Sequence, residues 1–441
     1  MRRIRQVLLV AAAATALAGC TSIQPRENDE EKITLSVLAG QSTSDAGVED
    51  MIDEWMAQHY PQVSLSWECV DWGDKFHQQM QGRFAAGDVP DIMIGKAQDV
   101  QTYARLGNLG TIPECCSRKT EDEARKLVSV NDKVYGMPYN AWYQGVIYNK
   151  NLFKAYDLHP PKTTEELQHI IAVLEQNHIV PFASHYQESW KVANMTMQYM
   201  MNDIFTDNPA WGDDFRSGKS DFGGNEKVIK SYENNRFILE HSWKDALQID
   251  QFESDDRFTQ GEAAMYLTGS WSMQFANQYG DDIDFGIFPY PNEAGDAKLI
   301  RETNMTFMKS ADTSQEELID DIFFSLLEDQ ELLQEILSFT QSSSVVKGIE
   351  PVYRNRIQAD IDRYEKEGKV IDVTVGNAQL VWRFQNMMAQ QQLLWMKGGK
   401  SLDEILAYAD QNRQLSGYAL AEEAEVLAGS GLKKGSGDKE E

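Results

Sequence analysis

The chain has 441 residues, of which 41 are lysine or arginine and 69 are aspartate or glutamate, so its formal charge at pH 7 is −28. This charge excludes binding to nucleic acid or anionic lipid through the general electrostatic field, and the length exceeds the roughly 250–300 residues at which single cores stop growing, so two domains are expected. The 4 cysteines are too few for a disulfide-built fold, and the 7 scattered histidines show no metal-ligand spacing, so we expect no structural transition-metal site and no cofactor.

The first twenty residues have the pattern of an export signal. Arginines in the first five residues precede an apolar run from Val7 to Ala18, interrupted only by Thr15, which is too short to span a membrane but suits a signal peptide. The run ends in LAGC, which resembles the bacterial lipobox, whose cysteine becomes the lipid-bearing first residue. We predict a signal peptide over 1–19, lipidation at Cys20 and a tether over 20–32, which would hold the chain on the extracellular or periplasmic face of the cell membrane. The alternative is an ordinary cleaved signal without lipid.

The body of the chain opens with alternating strands and helices. A β-rich run (Ile33–Leu38), a helix that begins near Val48 and a strand over Val63–Val70 are followed by a helix that ends at Gly87 and a short buried strand, Asp91–Ile94. This order predicts an open α/β sheet with crossover helices. Ligands of such sheets bind beyond the carboxyl ends of the strands. The loops after the first and third strands therefore supply four candidate ligand residues, Gln41, Ser42, Gln98 and Asp99.

The later part of the chain is richer in helices. A methionine-rich helix is predicted over Met195–Phe205, a strand over Ile283–Pro289 and one or two strongly patterned helices over Ser314–Phe339. A capping box, Ser401 with Glu404, opens a helix that runs through Ala409. The segment 426–441 has the composition of a disordered tail.

Three separated motifs stand out between these elements. They are FAAGDVPDI at 84–92, VYGMPY at 134–139 with GVIYNKNLF at 145–153, and GEAAMYLTGSW at 261–271. In this order, and behind a lipobox, they resemble the extracellular solute-binding proteins of family 1, which serve ABC importers and mostly bind sugars. The resemblance covers about 33–425 and is most specific in the N-terminal and middle motifs.

The resemblance implies an α/β fold of the two-lobe, type II periplasmic-binding-protein-like kind, with lobes that are discontinuous in sequence and joined by a hinge. The implied lobe boundaries are 33–139 and 290–342 for the first lobe, and 140–289 and 343–425 for the second. The connections are expected near 138–143, 288–291 and 342–346. The ligand would lie between the lobes, which would close over it by a hinge motion.

The resemblance also marks three tryptophans, because an aromatic residue at each matching place in the family often stacks on sugar. Trp142 follows the YGMPY motif, Trp190 ends the segment HYQESW, and Trp271 closes the third motif. A sugar ring presents C–H faces that aromatic rings bury, and hydroxyls that carboxylate, amide or guanidinium groups bind. For each tryptophan, packing in the core is the alternative.

Further residues are candidates for binding sugar hydroxyls. Besides the four loop residues named above, they are Asn140, Glu188, Asn304, Trp382 and Arg383. In one place the chain departs from the family, where many members carry a tryptophan or a charged residue directly after the third strand. Here the sequence is Gly95-Lys96-Ala97, and the small residue is expected to leave room for a larger sugar ring.

The function expected from this resemblance is that of a lipid-anchored receptor of an ABC importer. It would bind a mono- or oligosaccharide as a monomer, deliver it to membrane permease subunits, and have no catalytic residues. One alternative keeps the fold but binds a polyamine, a peptide or another non-sugar solute. A second is a surface glycoside hydrolase, which needs two carboxylates that flank the scissile bond. A third is a surface adhesin, which would not close over any small molecule.

Overall fold

The structure is a computed structural model that describes residues 32–40, 47–70, 74–278, 282–349, 356–373 and 379–417. The predicted signal peptide, the predicted tether up to residue 31 and the predicted C-terminal tail lie outside the described residues, as do Cys20, Gln41 and Ser42. No helix of the described ranges is long and apolar enough to cross a membrane.

The secondary-structure elements follow one another in four stretches of chain. The first contains β1 (Ile33–Gly40), α1 (Val48–His59), β2 (Val63–Val70), α2 (Asp74–Ala86), β3 (Ile92–Lys96), α3 (Ala97–Arg105), α4 (Glu114–Ser117), α5 (Asp122–Leu127), β4 (Ser129–Val130), β5 (Lys133–Val134) and β6 (Met137–Pro138). The second contains β7 (Asn140–Asn149), α6 (Lys150–Ala155), α7 (Thr164–Gln176), β8 (Val180–Ala183), α8 (Ser189–Met200) with a π-helical extension (Met201–Phe205), α9 (Trp211–Arg216), α10 (Glu226–Glu240), α11 (Gln251–Thr259), β9 (Ala263–Gly269), a 3₁₀ helix (Ser270–Gln278), β10 (Phe285–Phe288) and β11 (Leu299–Thr303).

Two shorter stretches complete the chain. The third contains β12 (Met305–Lys309), α12 (Glu316–Glu328) and α13 (Gln330–Phe339). The fourth contains β13 (Ser343–Ser344), α14 (Gln358–Lys366), β14 (Val370–Asp372), α15 (Trp382–Met396), α16 (Leu402–Gln411) and a 3₁₀ helix (Arg413–Ser416).

The first lobe is built on a five-stranded sheet with the order β2-β1-β3-β12-β6. Strand β1 pairs in parallel with β2 and β3, whereas β12 is antiparallel to β3. The central strands β1 and β3 carry nearly continuous buried apolar residues, as strands covered on both faces do. Helices α1, α12 and α13 pack their apolar residues on one face of this sheet, and α2 and α3 cover the other.

The second lobe is built on a seven-stranded sheet around the long strand β7. Its main order is β14-β11-β7-β9-β8, and β10 and β13 also pair with β7. Helices α7, α8 and α15 contribute apolar side chains to one core cluster of this lobe. Capping boxes hold the starts of α7 (Thr163 with Glu166) and α16 (Ser401 with Glu404), the second as the sequence predicts.

The chain passes between the two sheets at three places that lie side by side. Tyr139 joins β6 to β7, Asn304 joins β11 to β12, and residues 340–342 join α13 to β13. The backbone N–H of Asn304 donates to Asn140 O at 3.0 Å, and that of Val345 donates to Tyr139 O at 3.3 Å. These three connecting segments are therefore bonded to one another where the sheets meet.

The second connection lies later in the chain than the sequence suggested. Residues 288–291 follow β10, which pairs with β7. Strand β11 also pairs with β7 and with β14, so the chain stays in the second lobe through Thr303. The apolar pattern of Leu299–Thr303 fits either sheet equally well, so the sequence alone could not place this crossing.

The vicinal cysteines lie in the first lobe, in the short helix α4. The Sγ atoms of Cys115 and Cys116 are 3.9 Å apart, and Cys116 is buried in the core. No disulfide joins the three cysteines that the described ranges contain.

Candidate functional site

The site residues converge where the three connecting segments meet. Along β7, Asn140, Trp142 and Gln144 share one face, because side chains alternate along a strand. Glu302 of β11 lies opposite Trp142 in the antiparallel ladder. Asn304, two residues further on, is bonded to Glu302 by its side-chain amide at 2.7 Å. One face of the junction therefore carries aromatic, amide and carboxylate groups together.

Three tryptophans come together at this junction. The ring of Trp271 lies edge-to-face against that of Trp142, with centroids 5.8 Å apart, and against that of Trp190, with centroids 6.5 Å apart. All three side chains are partly exposed. The indole Nε1 of Trp142 donates to Thr340 O at 3.2 Å, which anchors the ring to the third connecting segment. We call these residues the tryptophan cluster; its exposed faces suit the C–H faces of a sugar ring.

Gly269 makes room for the central ring of the tryptophan cluster. It is the last residue of β9 and pairs with Gln144 of β7. A Cβ atom at this position would lie 2.0 Å from Cζ3 of Trp271 and 2.3 Å from Cε3. The indole therefore packs directly on the backbone at the end of the strand, which only glycine permits.

Trp190 is supported by a buried histidine. The ring of His185 is fully buried, with its centroid 5.3 Å from that of Trp190. Its Nδ1 donates to Oε2 of Glu188 at 2.9 Å, and the same oxygen accepts from the Gln251 N–H at 3.1 Å. Burial lowers the pKa of His185 to about 4. Burial is the largest single influence on the pKa of Glu188 and acts to raise it, but the contacts with His185, the Gln251 N–H and Trp190 together lower that pKa.

A buried lysine lies behind the tryptophan cluster. The Nζ of Lys191 donates to Leu267 O and lies 4.6 Å from the centroid of the Tyr266 ring. Burial lowers the pKa of Lys191 to about 7, and burial raises the pKa of Asp255, which faces it, to about 7. These groups tie α8 to β9 and α11, so that the elements carrying Trp190 and Trp271 share one frame.

A carboxylate held by amides forms the floor beside the tryptophan cluster. Glu302 accepts hydrogen bonds from Nε2 of Gln144 and from Nδ2 of Asn304. The Oε1 of Gln144 in turn accepts from Nδ2 of Asn194 on α8 at 2.9 Å. Burial raises the pKa of Glu302, while Lys96 acts to lower it.

The two lobes meet through Lys96 and Trp382. Lys96 is the last residue of β3 in the first lobe, and Trp382 is the first residue of α15 in the second lobe. The Nζ of Lys96 lies 5.6 Å from the centroid of the Trp382 ring. The ring of His77 on α2 has its centroid 6.3 Å from the same indole. Its Nε2 lies 3.7 Å from Oδ2 of Asp99. Burial raises the pKa of Asp99, while His77 and Lys96 act to lower it.

Three buried polar atoms around this junction have no hydrogen-bond partner among the described residues. They are Oδ2 of Asp99, Oδ1 of Asn304 and Nε1 of Trp382. A buried polar atom without a partner costs about 1–3 kcal/mol. Two of these atoms are hydrogen-bond acceptors and one is a donor. Hydroxyl groups of a ligand could pair with both kinds, because a hydroxyl both donates and accepts hydrogen bonds. The arrangement can therefore hold a polar, ring-shaped molecule between aromatic faces and hydrogen-bonding groups.

The structure brings most of the proposed ligand residues to this junction. The tryptophan cluster, Asp99, Asn304 and Trp382 surround it as described above. Gln98 lies beside Asp99 at the start of α3 and is partly exposed. Glu188 lies beside Trp190, with one oxygen engaged by His185 and Gln251. Arg383 is an exposed residue in the first turn of α15.

Asn140 has a different role from the expected one. It is fully buried, its Oδ1 accepts from the Met305 N–H at 2.8 Å, and its Nδ2 donates to Ser342 Oγ at 3.3 Å. Both ends of its amide thus tie the connecting segments together. We therefore leave Asn140 out of the ligand set, because its hydrogen-bonding groups are already engaged.

Gly95 does not enlarge the site. A Cβ atom there would lie 2.9 Å from Cε of Met308 and 3.4 Å from Cζ of Phe76, both in the core of the first lobe. The next residue, Lys96, is the one that reaches the junction. Side chains alternate along a strand, so the residue after the glycine, and not the glycine, faces the second lobe.

Sequence reasoning missed four polar residues of the junction, His77, Lys96, Gln144 and Glu302. Two signals could have found them. Gln144 is two residues after Trp142, and Glu302 is two residues before Asn304. Because side chains alternate along a strand, each lies on the same face as the candidate residue beside it. His77 and Lys96 carry no such signal, because their place depends on how the lobes approach each other.

Comparison with known proteins gives a consistent family and fold. The profile of the family described as "Bacterial extracellular solute-binding protein" matches residues 39–323. The chain is 22% identical over 330 residues to the "Multiple sugar-binding protein" of Streptococcus mutans serotype c, which covers 70% of this chain and 77% of that protein.

Two solved structures have the same fold. One is a "Chitin oligosaccharide binding protein", with a TM-score of 0.74 and 16% identity over 87% of this chain and 99% of that one. The other is "SBP RafE in complex with raffinose", with a TM-score of 0.72 and 17% identity over 87% of this chain and 100% of that one. The fold is therefore the two-lobe, type II solute-binding fold that the sequence motifs implied.

Proposed function

The chain is a member of the bacterial extracellular solute-binding protein family, and we propose that it binds a mono- or oligosaccharide between its two lobes and delivers it to the permease of an ABC importer. The observation that carries the proposal is the tryptophan cluster, which lies beside buried polar atoms that lack partners. Aromatic faces for C–H groups and unsatisfied acceptors for hydroxyls together match the chemistry of a sugar.

The ligand residues of this proposal fall into two groups. The tryptophan cluster and Trp382 supply aromatic surface. Asp99 and Asn304 supply the unsatisfied acceptor oxygens, and Lys96 supplies a positive charge at the lobe junction. The sugar-binding names of the relatives support the same ligand class.

A binding role fits the junction better than a hydrolytic one. A glycoside hydrolase needs a carboxylic acid and a second carboxylate that are both available to the substrate. Glu302 has each of its oxygens engaged by an amide, from Gln144 and Asn304. Glu188, beside Trp190, has one oxygen engaged by His185 and by the Gln251 N–H. Membership of a family of binding proteins agrees with this, and we propose that the chain returns its ligand unchanged.

The proposed location follows from the N-terminal sequence. Export through the signal peptide and lipidation of Cys20 would place the two lobes outside the cytoplasm, as the extracellular family to which the chain belongs requires. The anchor would hold a monomer close to the permease. Labelled palmitate incorporated by cells that express the chain, and lost in Cys20→Ser, tests this part of the proposal.

Titration calorimetry tests the proposed ligand class. The chain from Thr21 to Glu441 contains every described residue, and we would titrate it with mono-, di- and trisaccharides, with a dipeptide as the non-sugar control. Saturable binding of one sugar class is expected, and chromatography of the released ligand should recover it intact. Binding of the dipeptide alone would overturn the sugar assignment, and recovery of cleaved sugar would favour the hydrolase.

A further inference from the structure

Two neighbouring cysteines of the first lobe form a pair of thiols outside the proposed sugar site. Cys115 and Cys116 are the middle residues of the four-residue helix α4, and their Sγ atoms lie 3.9 Å apart. The side chain of Cys115 is exposed, whereas Cys116 is fully buried and its Sγ lies 3.8 Å from Asp320 O on α12. A reagent that reacts with the exposed thiol is therefore brought next to a second one.

The helix that carries this pair is a single turn. Its N-cap residue is Pro113, whose side chain cannot hydrogen-bond, and the backbone N–H groups of Cys116 and Ser117 donate to Pro113 O at 3.1 and 3.0 Å. A helix of one turn depends on its tertiary contacts rather than on its own stability. Local opening of this turn exposes Cys116 while the sheet of the first lobe stays folded.

Burial sets the order in which the two thiols react. It is the largest influence on the pKa of the Cys116 thiol and raises that pKa. Neighbouring Cys115 and Asp320 raise the same pKa further, and Lys309 acts to lower it. The thiolate is the form that attacks a disulfide. The exposed Cys115 therefore reacts first, and Cys116 follows when α4 opens.

The chain that follows α4 is bonded to the connections between the lobes. The Lys347 N–H donates to Lys119 O at 2.7 Å. The Glu121 N–H donates to Val345 O at 2.8 Å, directly after β13, the strand into which the third connecting segment leads. The Glu121 carboxylate also pairs with Arg301 of β11 in the second lobe, at 2.8 Å. A displacement of α4 is therefore passed to the third connection and to the second lobe.

We propose that Cys115 and Cys116 are a thiol–disulfide exchange site, at which a small-molecule disulfide converts the pair into a disulfide bond and loosens the third connection between the lobes. The Cys115 thiolate attacks one sulfur of the small disulfide, which forms a mixed disulfide and releases one thiol. The Cys116 thiolate then attacks Cys115 Sγ and releases the second thiol. Two protein thiols are thus oxidised, one disulfide is reduced to two thiols, and both protein protons pass to these thiols.

A bond between neighbouring cysteines requires the backbone of α4 to move. Consecutive side chains of a helix point about 100° apart, and neighbouring Cα atoms are about 3.8 Å apart, below the range of roughly 4.4–6.8 Å that is usual in disulfides. Residues 115–116 must therefore leave the helical conformation, and Lys119 follows shortly after them. We expect its bond to Lys347 to weaken as a result. The proposal rests on the export in the proposed function, because cytosolic thiols are kept reduced.

Oxidised glutathione is the probe that tests the proposal on the chain from Thr21 to Glu441. Both cysteines fall in the tryptic peptide 106–118, which contains no other cysteine. Mass spectrometry should find this peptide lighter by two hydrogens after treatment and restored by dithiothreitol. Backbone hydrogen exchange should be faster at 119–121 and 345–347 in the oxidised chain than in the reduced one. Weaker saccharide binding is expected to accompany this change.

Two variants separate this site from other thiol chemistry. Cys115→Ser changes an exposed side chain, so the variant should fold, and it should show neither the lighter peptide nor the faster exchange. Cys69→Ser removes the third cysteine of the described ranges and should behave as the unaltered chain does.

Three results would overturn the proposal. They are a peptide that keeps two free thiols, a reaction that stops at the mixed disulfide with glutathione, and a disulfide whose formation leaves exchange at 345–347 unchanged. A chain that binds no saccharide in either form would contradict the proposed function instead, because the mass and exchange measurements involve no saccharide.

Discussion

Trp271 is the residue on which the geometry of the proposed sugar site depends most. Its ring contacts both other members of the tryptophan cluster, and it packs on the backbone of Gly269. The third sequence motif marked Trp271 as a candidate ligand residue, but the motif could not show that the other two rings meet it. Their meeting depends on the pairing of β7 with β9 and on the start of α8, which are contacts between distant parts of the chain.

Trp271→Ala is expected to weaken saccharide binding by ~1–3 kcal/mol, the scale of burying a large aromatic side chain. Calorimetry with the best saccharide of the panel measures this. Trp67→Ala is the matched control, because Trp67 is also partly exposed but lies on β2, bonded to Asp53. If the Trp271 variant and the unaltered chain bound the saccharide with equal affinity, Trp271 would not be part of the binding site.

Gly269→Ala is expected to displace the Trp271 ring without removing it. The added Cβ would lie 2.0 Å from Cζ3 of the indole, so the ring must move and saccharide affinity should fall. Gly82→Ala is the control, since a Cβ there meets nothing within 4 Å and helix α2 should gain up to about 1 kcal/mol. Unchanged sugar affinity in Gly269→Ala would show that the position of this ring does not matter.

At the scale of elements, the segment that joins β8 to α8 is what sets Trp190 in place. In this segment His185 is bonded to Glu188, which accepts from the first residue of α11, and Lys191 in the first turn of α8 is bonded to β9. The sequence predicted the strand-like and helical parts of this region from their periodicity. It could not predict that a histidine and a lysine would be buried here, because polar residues near a helix start are usually exposed.

The stability of this segment should depend on pH through His185. Its pKa is about 4 in the folded chain and ~6.5 in an unfolded one, so only the unfolded chain takes up this proton between those values. The contribution of His185 is thus fully present above about pH 6.5 and is lost as the pH falls towards 4. As the pH falls from about 6.5 to 4, the free energy of unfolding of His185→Gln should rise by on the order of 3 kcal/mol relative to that of the unaltered chain.

Urea unfolding at several pH values measures this difference. Other buried acids titrate in the same range, so the comparison between variant and unaltered chain isolates the histidine. His169→Gln makes the same substitution at an exposed histidine on α7 and serves as the control. A constant difference between His185→Gln and the unaltered chain at all pH values would mean that His185 is protonated equally in both states.

At the scale of the whole molecule, the two lobes are joined by three adjacent connecting segments and touch again at Lys96 and Trp382. The sequence predicted two lobes, their α/β class and the early element order, because strand and helix periods differ and the motifs are specific. It placed one crossing too early, at 288–291, because strands of either lobe have the same apolar pattern. The contact of Lys96 with Trp382 depends on how the two lobes approach each other, and no local sequence pattern encodes that.

Saccharide binding is expected to make the molecule more compact, because a ligand held by both lobes favours the arrangement in which they approach. Small-angle X-ray scattering should show a smaller radius of gyration with the best saccharide than without it. Trp271→Ala at the same saccharide concentration should show a smaller change. An unaltered radius of gyration, under conditions where calorimetry shows saturation, would mean that the ligand does not engage both lobes.

The most direct test of the account is a crystal structure of the chain from Thr21 to Glu441 with the saccharide that binds most tightly. We predict that sugar rings lie against Trp142, Trp190 and Trp271, and that hydroxyl groups bond to the Asp99 and Asn304 oxygens that lack partners in the present structure. A saccharide bound elsewhere, with the tryptophan cluster unoccupied, would contradict the proposed site.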